Sequence, residues 1–300
     1  MHSALTLLAV PPMPLLYFWR WDNYQRDLGF GGGYHLNQRS SGLHRIQLGE
    51  SLWAFTRRPD DGAYVLVAEL VAKARTINHP QLAREYRYGR YRLWGDLSRS
   101  RYFLPQGQPP IDQVIRALSL AVRTSSIGRS FQGPGAVRAI TEADSALLAQ
   151  VADLLQPDPR AKLYPEDRFA ALAVAGGADE VGRLLAADGP SPEERWVYHY
   201  GPARALVKRR TEELRERYQD RCQLCGWSGL GTYGLAVCEA HHMHWLSRGG
   251  PDTLENLVLL CPNHHRVVHR SDAVFDYQDN AFVFEEQRRE RLRLVGHLEA

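Results

Sequence analysis

The chain has 300 residues, 44% of them apolar and 24% charged, with a formal net charge of +3. That length suits two compact domains, and the ordinary composition excludes collagen-like and low-complexity classes. The mild net charge confines any basic surface to local patches.

Residues 1–16 are apolar, contain three prolines and have no Lys or Arg before Arg20. The segment is expected to be neither a signal peptide nor a membrane span. From Leu15 to about residue 105 the chain is β-rich. Leu15-Leu-Tyr-Phe-Trp-Arg-Trp21 reads as an aromatic strand, Gly49 to Thr56 as a second and Tyr64 to Ala72 as a third. The turn Pro59-Asp-Asp-Gly62 makes the last two a hairpin. The glycine run Gly29 to Tyr34 lacks the Gly-Lys-Ser/Thr ending of a phosphate loop and reads as a mobile loop, extended by Asn37 to Gly42. Arg87 to Trp94 reads as a further extended piece. Between Lys73 and Arg101 there are eight Lys or Arg against two acids, interleaved with Tyr86, Tyr88, Tyr91 and Trp94. Cations of this kind suit phosphates and aromatic faces suit bases, so Arg87 and Arg90 are candidate DNA contacts.

This pattern resembles the small β-barrels of the PUA, EVE and SRA superfamily. The resemblance rests on the aromatic first strand, the Gly-Glu-Ser-Leu-Trp-Ala-Phe strand and the Val/Leu-rich strand that ends in basic residues, without a sharp motif. It implies a domain that binds RNA or holds a flipped, modified base in an aromatic pocket. Trp21 and Trp53, with Trp19 and Trp94, are the pocket candidates, although a tryptophan is more often a core residue.

Two helices are expected at Ile111–Arg123 and Thr141–Leu155, with Thr141 as N-cap. The glycine-rich stretch between them returns to the first domain. Pro157-Asp-Pro159 and Gly189-Pro-Ser-Pro192 are boundary signals around a helical segment at 165–187. The expected organisation is a reading domain at 1–156, a helical linker at 157–200 and a second domain at 201–300. A helix over Pro202–Tyr218 follows, in a stretch with seven basic and four acidic residues. Arg209 and Arg210 on it are candidate backbone contacts, and a solvated helix face is an equal reading.

Cys222 and Cys225 stand at C-x2-C spacing, and Cys261 and His264 repeat it as C-x2-H. Four thiolate and imidazole ligands in two knuckles suit tetrahedral structural Zn2+. Cys238 is the odd thiol and reads as a buried strand residue, with a clip using it in place of His264 left open. Cysteines used this way point to a reducing compartment, so the expected localisation is cytoplasmic. Between the knuckles, Leu235–Ala240 reads as a strand delivering His241 and His242, whose side chains point to opposite faces. Leu254–Leu260 reads as the returning strand. Pro262 opens a helix on which His265 and His269 share a face.

The whole stretch, residues 201–272, resembles the HNH endonucleases with their ββα-metal fold. The resemblance implies that His242 is the general base and that His241 and His265 hold one divalent ion. It further implies that Asn256 bridges the loop and orients His242, with His269 an additional ligand in some members. An imidazole takes a proton near neutral pH, with an unperturbed pKa of about 6.5. A histidine set is softer than an oxygen cage and admits Mn2+, Ni2+ or Co2+ beside Mg2+. The expected fold is α+β: an N-terminal β-barrel-like (PUA-like) domain with helices, then a zinc-stabilised ββα-metal domain. The two resemblances together imply a DNA endonuclease reading a modified cytosine in double-stranded DNA, with no membrane partner. One active site per chain implies a homodimer, or two sequential nicks, for a double-strand break. The alternatives are a nuclease for unmodified sequence or DNA structure, and a zinc-containing nucleic-acid binding protein without catalysis.

Overall fold

The computed structural model describes residues 13–29, 34–78, 89–122, 126–158, 161, 204–245, 248, 250 and 253–298. Arg87, the helix expected at 165–187 and most of the linker 157–200 lie outside them.

The first part comprises β1 (Leu15–Phe18), α1 (Trp21–Gly29), β2 (His35–Gln38), β3 (Ser51–Arg57), β4 (Tyr64–Ile77), β5 (Tyr91–Gly95), β6 (Arg101–Tyr102), α2 (Asp112–Ala117), β7 (Val137–Ala139) and α3 (Glu142–Ala152). One sheet of seven strands holds it together, in the order β2-β5-β4-β3-β1-β7 with β6 beside β4. The β3–β4 hairpin forms where Gly62 takes a φ of +72°, a conformation that glycine adopts at little cost. β4 is the spine. Its first part pairs with β3 and its last residues with β5, with register breaks at Ala54/Phe55 and Ala72/Ala74. Bulges of this kind bend and twist a strand, and the sheet curls accordingly.

Alternation along the strands builds a core on each face. Leu15, Leu52, Val65, Val67 and Leu93 pack on one side with Tyr24 and Leu28 of α1. Leu16, Trp53, Phe55 and Leu66 pack on the other with Ile115 of α2 and Leu148 of α3. Thr141 caps α3 through a capping box with Asp144.

Several expectations change. The first strand ends at Phe18, and Trp21 opens a helix instead of closing a strand. Asn37 and Gln38 belong to β2, paired with β5, and not to a loop. The helix expected over 111–123 is only Asp112–Ala117. The return of the glycine-rich stretch is a strand, β7, antiparallel to β1.

The second part comprises α4 (Arg204–Tyr218), α5 (Gly229–Tyr233), β8 (Glu239–His242), β9 (Leu257–Leu260), α6 (Pro262–Arg270), β10 (Val274–Asp276), β11 (Ala281–Val283) and β12 (Arg289–Arg291). The expected strand at 235–240 falls later, because Leu235 is exposed and residues 235–238 run irregularly into β8. β8 and β9 form a two-stranded hairpin, and β10-β11-β12 a meander. A lone hairpin is marginal in water. All four residues of β9 are buried, in a core with Leu214, Val268, Phe275 and Phe282. Each such side chain contributes about 1.5–3 kcal/mol, so packing stabilises the hairpin more than pairing does.

The two parts touch. Ala74 and Trp94 of the sheet share a buried cluster with Val274 and Val283. Among the described residues no helix is long and apolar enough to cross a membrane.

Candidate metal centre

Two clusters of ligand-type side chains stand on and beside the β8–β9–α6 unit, with Cys222 and Cys225 supplied by the turn between α4 and α5. Cys222, Cys225, Cys261 and His264 form the first, with their ligand atoms all within 4.8 Å of one another. The Cys225 and Cys261 sulfurs are 4.0 Å apart, and His264 Nδ1 lies 3.5 Å from Cys222 Sγ and 3.3 Å from Cys261 Sγ. A tetrahedron with Zn–S bonds of about 2.3 Å has edges of about 3.8 Å, so the group suits zinc. Burial pushes the Cys222 thiol up to about 12, so a cation is needed to hold it as a thiolate near neutral pH. Cys238 is not in the group. Its thiol donates to the Asp220 carbonyl at 3.1 Å, and burial with the Asp220 charge pushes it up to about 12.

His241, His265 and His269 form the second cluster. His241 comes from β8 and the other two from one face of α6, a turn apart. Cys261 precedes α6 in extended conformation and Pro262 starts it. The nearest ring nitrogens of His265 and His269 are 3.2 Å apart, both Nε2. His241 is 2% exposed, and its Nε2 is buried with no hydrogen-bond partner. Burial first, then His269, His265 and His242, hold its imidazole well below the ordinary value. A neutral imidazole with an orphaned nitrogen beside two more is a donor set for a divalent cation. Trp245 walls the cluster, its ring 5.4 Å from that of His269 and 6.3 Å from that of His241.

Residues 222–271 match the family model of the HNH endonucleases. These residues are an HNH endonuclease domain. A 52-residue stretch of the chain is 44% identical to the type IV methyl-directed restriction enzyme EcoKMcrA of Escherichia coli (strain K12). That stretch is 17% of this chain and 19% of the relative, so the match spans about a fifth of the relative's length. Among solved structures, the modification-dependent TagI restriction endonuclease aligns at 14% identity and TM-score 0.24, over 86% of this chain and 63% of that one. The type IV phosphorothioation-dependent restriction endonuclease ScoMcrA aligns at 19% identity and TM-score 0.19, over 76% and 42%.

Within the HNH domain, His242 is buried and, by alternation, on the opposite face of β8 from His241. Asn256 clasps the backbone of His244, accepting from its amide at 2.8 Å and donating to its carbonyl at 2.9 Å. Tyr277 Oη donates to the same Asn256 oxygen at 2.9 Å. The backbone at Gly250 runs tight against this loop, since a Cβ there would meet the His244 carbonyl oxygen at 1.9 Å.

Three contributors escaped the sequence reading. Glu239 Oε2 lies 2.6 Å from His265 Nδ1, and that bond holds its carboxyl below the usual range. The only signal was its place two residues before His241, on the same strand face. Trp245 and Tyr277 carried no signal.

The N-terminal candidates fare differently. Trp53 is 1% exposed and its indole donates to Ser145 Oγ at 2.8 Å. It is a core residue and has no face to offer a base, which corrects the pocket assignment. Trp19 and Trp94 are buried as well, and Trp21 is half-buried against the core. Most described cations of the basic run turn inward. Lys73 pairs with Asp272, Arg75 donates to the His44 carbonyl, Arg92 to Asn37, and Arg101 pairs with Glu69 and Asp153. Arg90 is exposed and Arg210 half-buried. Arg209 lies on α4, but its side chain is outside the description. Arg215 of that helix braces the Cys238 carbonyl at 2.8 Å.

Proposed function

We propose that the chain is a metal-dependent DNA endonuclease of the modification-dependent restriction type, acting in the cytoplasm. The observation that carries this is the meeting of His241, His265 and His269 inside an HNH domain, with the His241 Nε2 orphaned. These three residues would hold one divalent cation, Mg2+ or Mn2+, which when bound offsets negative charge at a phosphodiester. His242 is the general base that takes the proton from the attacking water. Asn256 fixes the loop after His242 through the backbone of His244. Cys222, Cys225, Cys261 and His264 hold a structural zinc ion.

Residues 1–156 act as the reading domain, of PUA-like type, joined through 157–200 to the nuclease domain at 201–300. A modified cytosine in double-stranded DNA is the favoured target. The curled sheet with α-helices on it supports a small barrel-like reader, and the methyl-directed activity in the name of the matched relative fits a modified base. Arg90 and Arg210 remain the contacts for the DNA backbone, with Arg87 and Arg209 beside them in sequence. Trp21 is the remaining pocket candidate of the two first favoured. Two strands are cut by a homodimer or by two successive nicks.

Digestion of matched plasmids with Mn2+ tests the reading. Plasmid carrying 5-methyl- or 5-hydroxymethylcytosine should be cut and the unmodified one spared. Equal cutting of all three would remove the modified-base reader. His242→Ala should abolish cleavage and leave DNA affinity unchanged, and normal cutting by that variant would remove the base assignment.

A further inference from the structure

Helix α6 carries two of the three clustered histidines, and its carboxyl end is held by the N-terminal sheet. The helix closes in a Schellman-type turn. The Asp272 amide donates to the His269 carbonyl at 3.3 Å and the Ala273 amide to the Val268 carbonyl at 3.1 Å. Asp272 sits there at a φ of +49°, where glycine is the usual occupant. Its carboxylate accounts for the aspartate. One oxygen accepts from Lys73 Nζ at 2.7 Å and the other from Arg248. Lys73 Nζ also donates to the Ser271 and Asp272 carbonyls, at 3.0 and 2.9 Å. All three ammonium donors are therefore spent on one helix end. Lys73 lies on β4, 199 positions earlier in the chain than Asp272.

Neighbouring contacts make this a built seam. The Ile77 amide donates to Asp276 Oδ1 at 3.3 Å. Arg248 is 2% exposed, with its guanidinium 5.6 Å from the Trp94 ring and 4.7 Å from the Trp245 ring. Trp245 in turn packs on His269. Contact thus runs unbroken from β4 and β5 to the cluster.

We propose that Lys73 is a positioning residue for the histidine cluster: from the N-terminal sheet it fixes the carboxyl end of α6, and with it His265 and His269 relative to His241. The carbonyls at a helix end carry partial negative charge, and a cation placed there stabilises the last turn. Helix ends open before helix centres, and His269 lies in that last turn. Metal-ligand distances tolerate only about 0.2 Å of error, so loosening the turn weakens the site without abolishing the fold. The proposal rests on reading the cluster as a divalent-cation site.

The test uses the full-length, zinc-loaded protein titrated with Mn2+, with the free ion followed by its electron paramagnetic resonance signal. Lys73→Met should weaken Mn2+ binding by roughly five- to tenfold, the scale of a helix-end charge. It should slow single-turnover cleavage and leave DNA affinity and zinc content unchanged. Lys73→Arg, which keeps the charge and the donors, should recover most of the loss. Asp272→Asn tolerates the same backbone conformation and should give a smaller loss, because the carbonyl acceptors stay. A Lys73→Met protein that binds Mn2+ like the wild type, whatever its melting temperature, overturns the proposal, and so does a Lys73→Arg protein no better than Lys73→Met. Should Lys73→Met fail to fold, unchanged Mn2+ affinity in Asp272→Asn overturns it. Wild-type protein that binds no Mn2+ removes the cation site and this proposal together. Wild-type binding matched by Lys73→Met removes the proposal alone.

Discussion

Glu239 shows how one residue acts through another. It shares a strand face with His241, and its carboxylate meets His265 Nδ1 at 2.6 Å. That bond assigns the proton to Nδ1 and directs Nε2 of His265 at the cluster, where the His269 Nε2 lies 3.2 Å away. Carboxylates behind metal-binding histidines fix the tautomer and raise basicity, and losing one typically costs 10- to 100-fold in affinity or activity, on the order seen across such sites. Glu239→Ala should therefore weaken Mn2+ binding by about 10- to 100-fold, measured by calorimetry, with Glu239→Gln milder because its amide oxygen still accepts a hydrogen bond from His265 Nδ1. Unchanged Mn2+ affinity in Glu239→Ala would show that the bond is only a surface ion pair. The ligand-type residues were legible because cysteine and histidine at two- and three-residue gaps are rare without a cation. Glu239 was not, because an acid on a half-exposed strand end has many ordinary explanations.

At the scale of elements, the hairpin β8–β9 and helix α6 have little core of their own and are stapled at their base by the cysteine knuckles. The first knuckle precedes β8 and the second joins β9 to α6, so one ion would tie both ends of the unit. Binding free energy of a structural zinc is folding free energy. Removal of zinc by a strong chelator should lower the melting temperature of the HNH domain and disorder α6. Circular dichroism at 222 nm should follow the loss, with Cys261→Ser reproducing it. Melting curves that coincide with and without chelator would make the four residues an incidental cluster. Element types were mostly legible from periodicity and punctuation, as with Pro262 at the start of α6 and Thr141 capping α3. Boundaries were not. Aromatic residues fit helix and strand alike, so Trp21 was assigned to a strand when it opens α1. The short meander β10–β12 left no trace, since three-residue strands are below the length at which alternation can be seen.

At the scale of the molecule, the decisive feature is the seam between the sheet and the HNH domain. Trp94 is its centre. It is buried, donates to Thr76 Oγ1 at 2.8 Å, packs on His244 and lies against Val274 and Val283. Trp94→Ala should cost about 3–5 kcal/mol, as for other large-to-small core changes, read by urea denaturation. A loss below about 1 kcal/mol would mean that the two parts do not share a core. The basic run from Lys73 to Arg101 teaches the same lesson from the other side. Its charge and aromatic content suit a nucleic-acid surface, yet most of its described cations are struts to backbone carbonyls and carboxylates. Sequence alone pointed to the HNH domain, to the cysteines and histidines that the structure gathers into two clusters, and to the β-rich character of the first part, because motif order and strand alternation are local properties of the chain. Tertiary structure alone decided that Trp53 is core, that Asn256 holds His244 and that Lys73 caps α6. Those facts depend on contacts between residues far apart in the chain, and no local pattern records which distant carbonyl or carboxylate a buried cation will find.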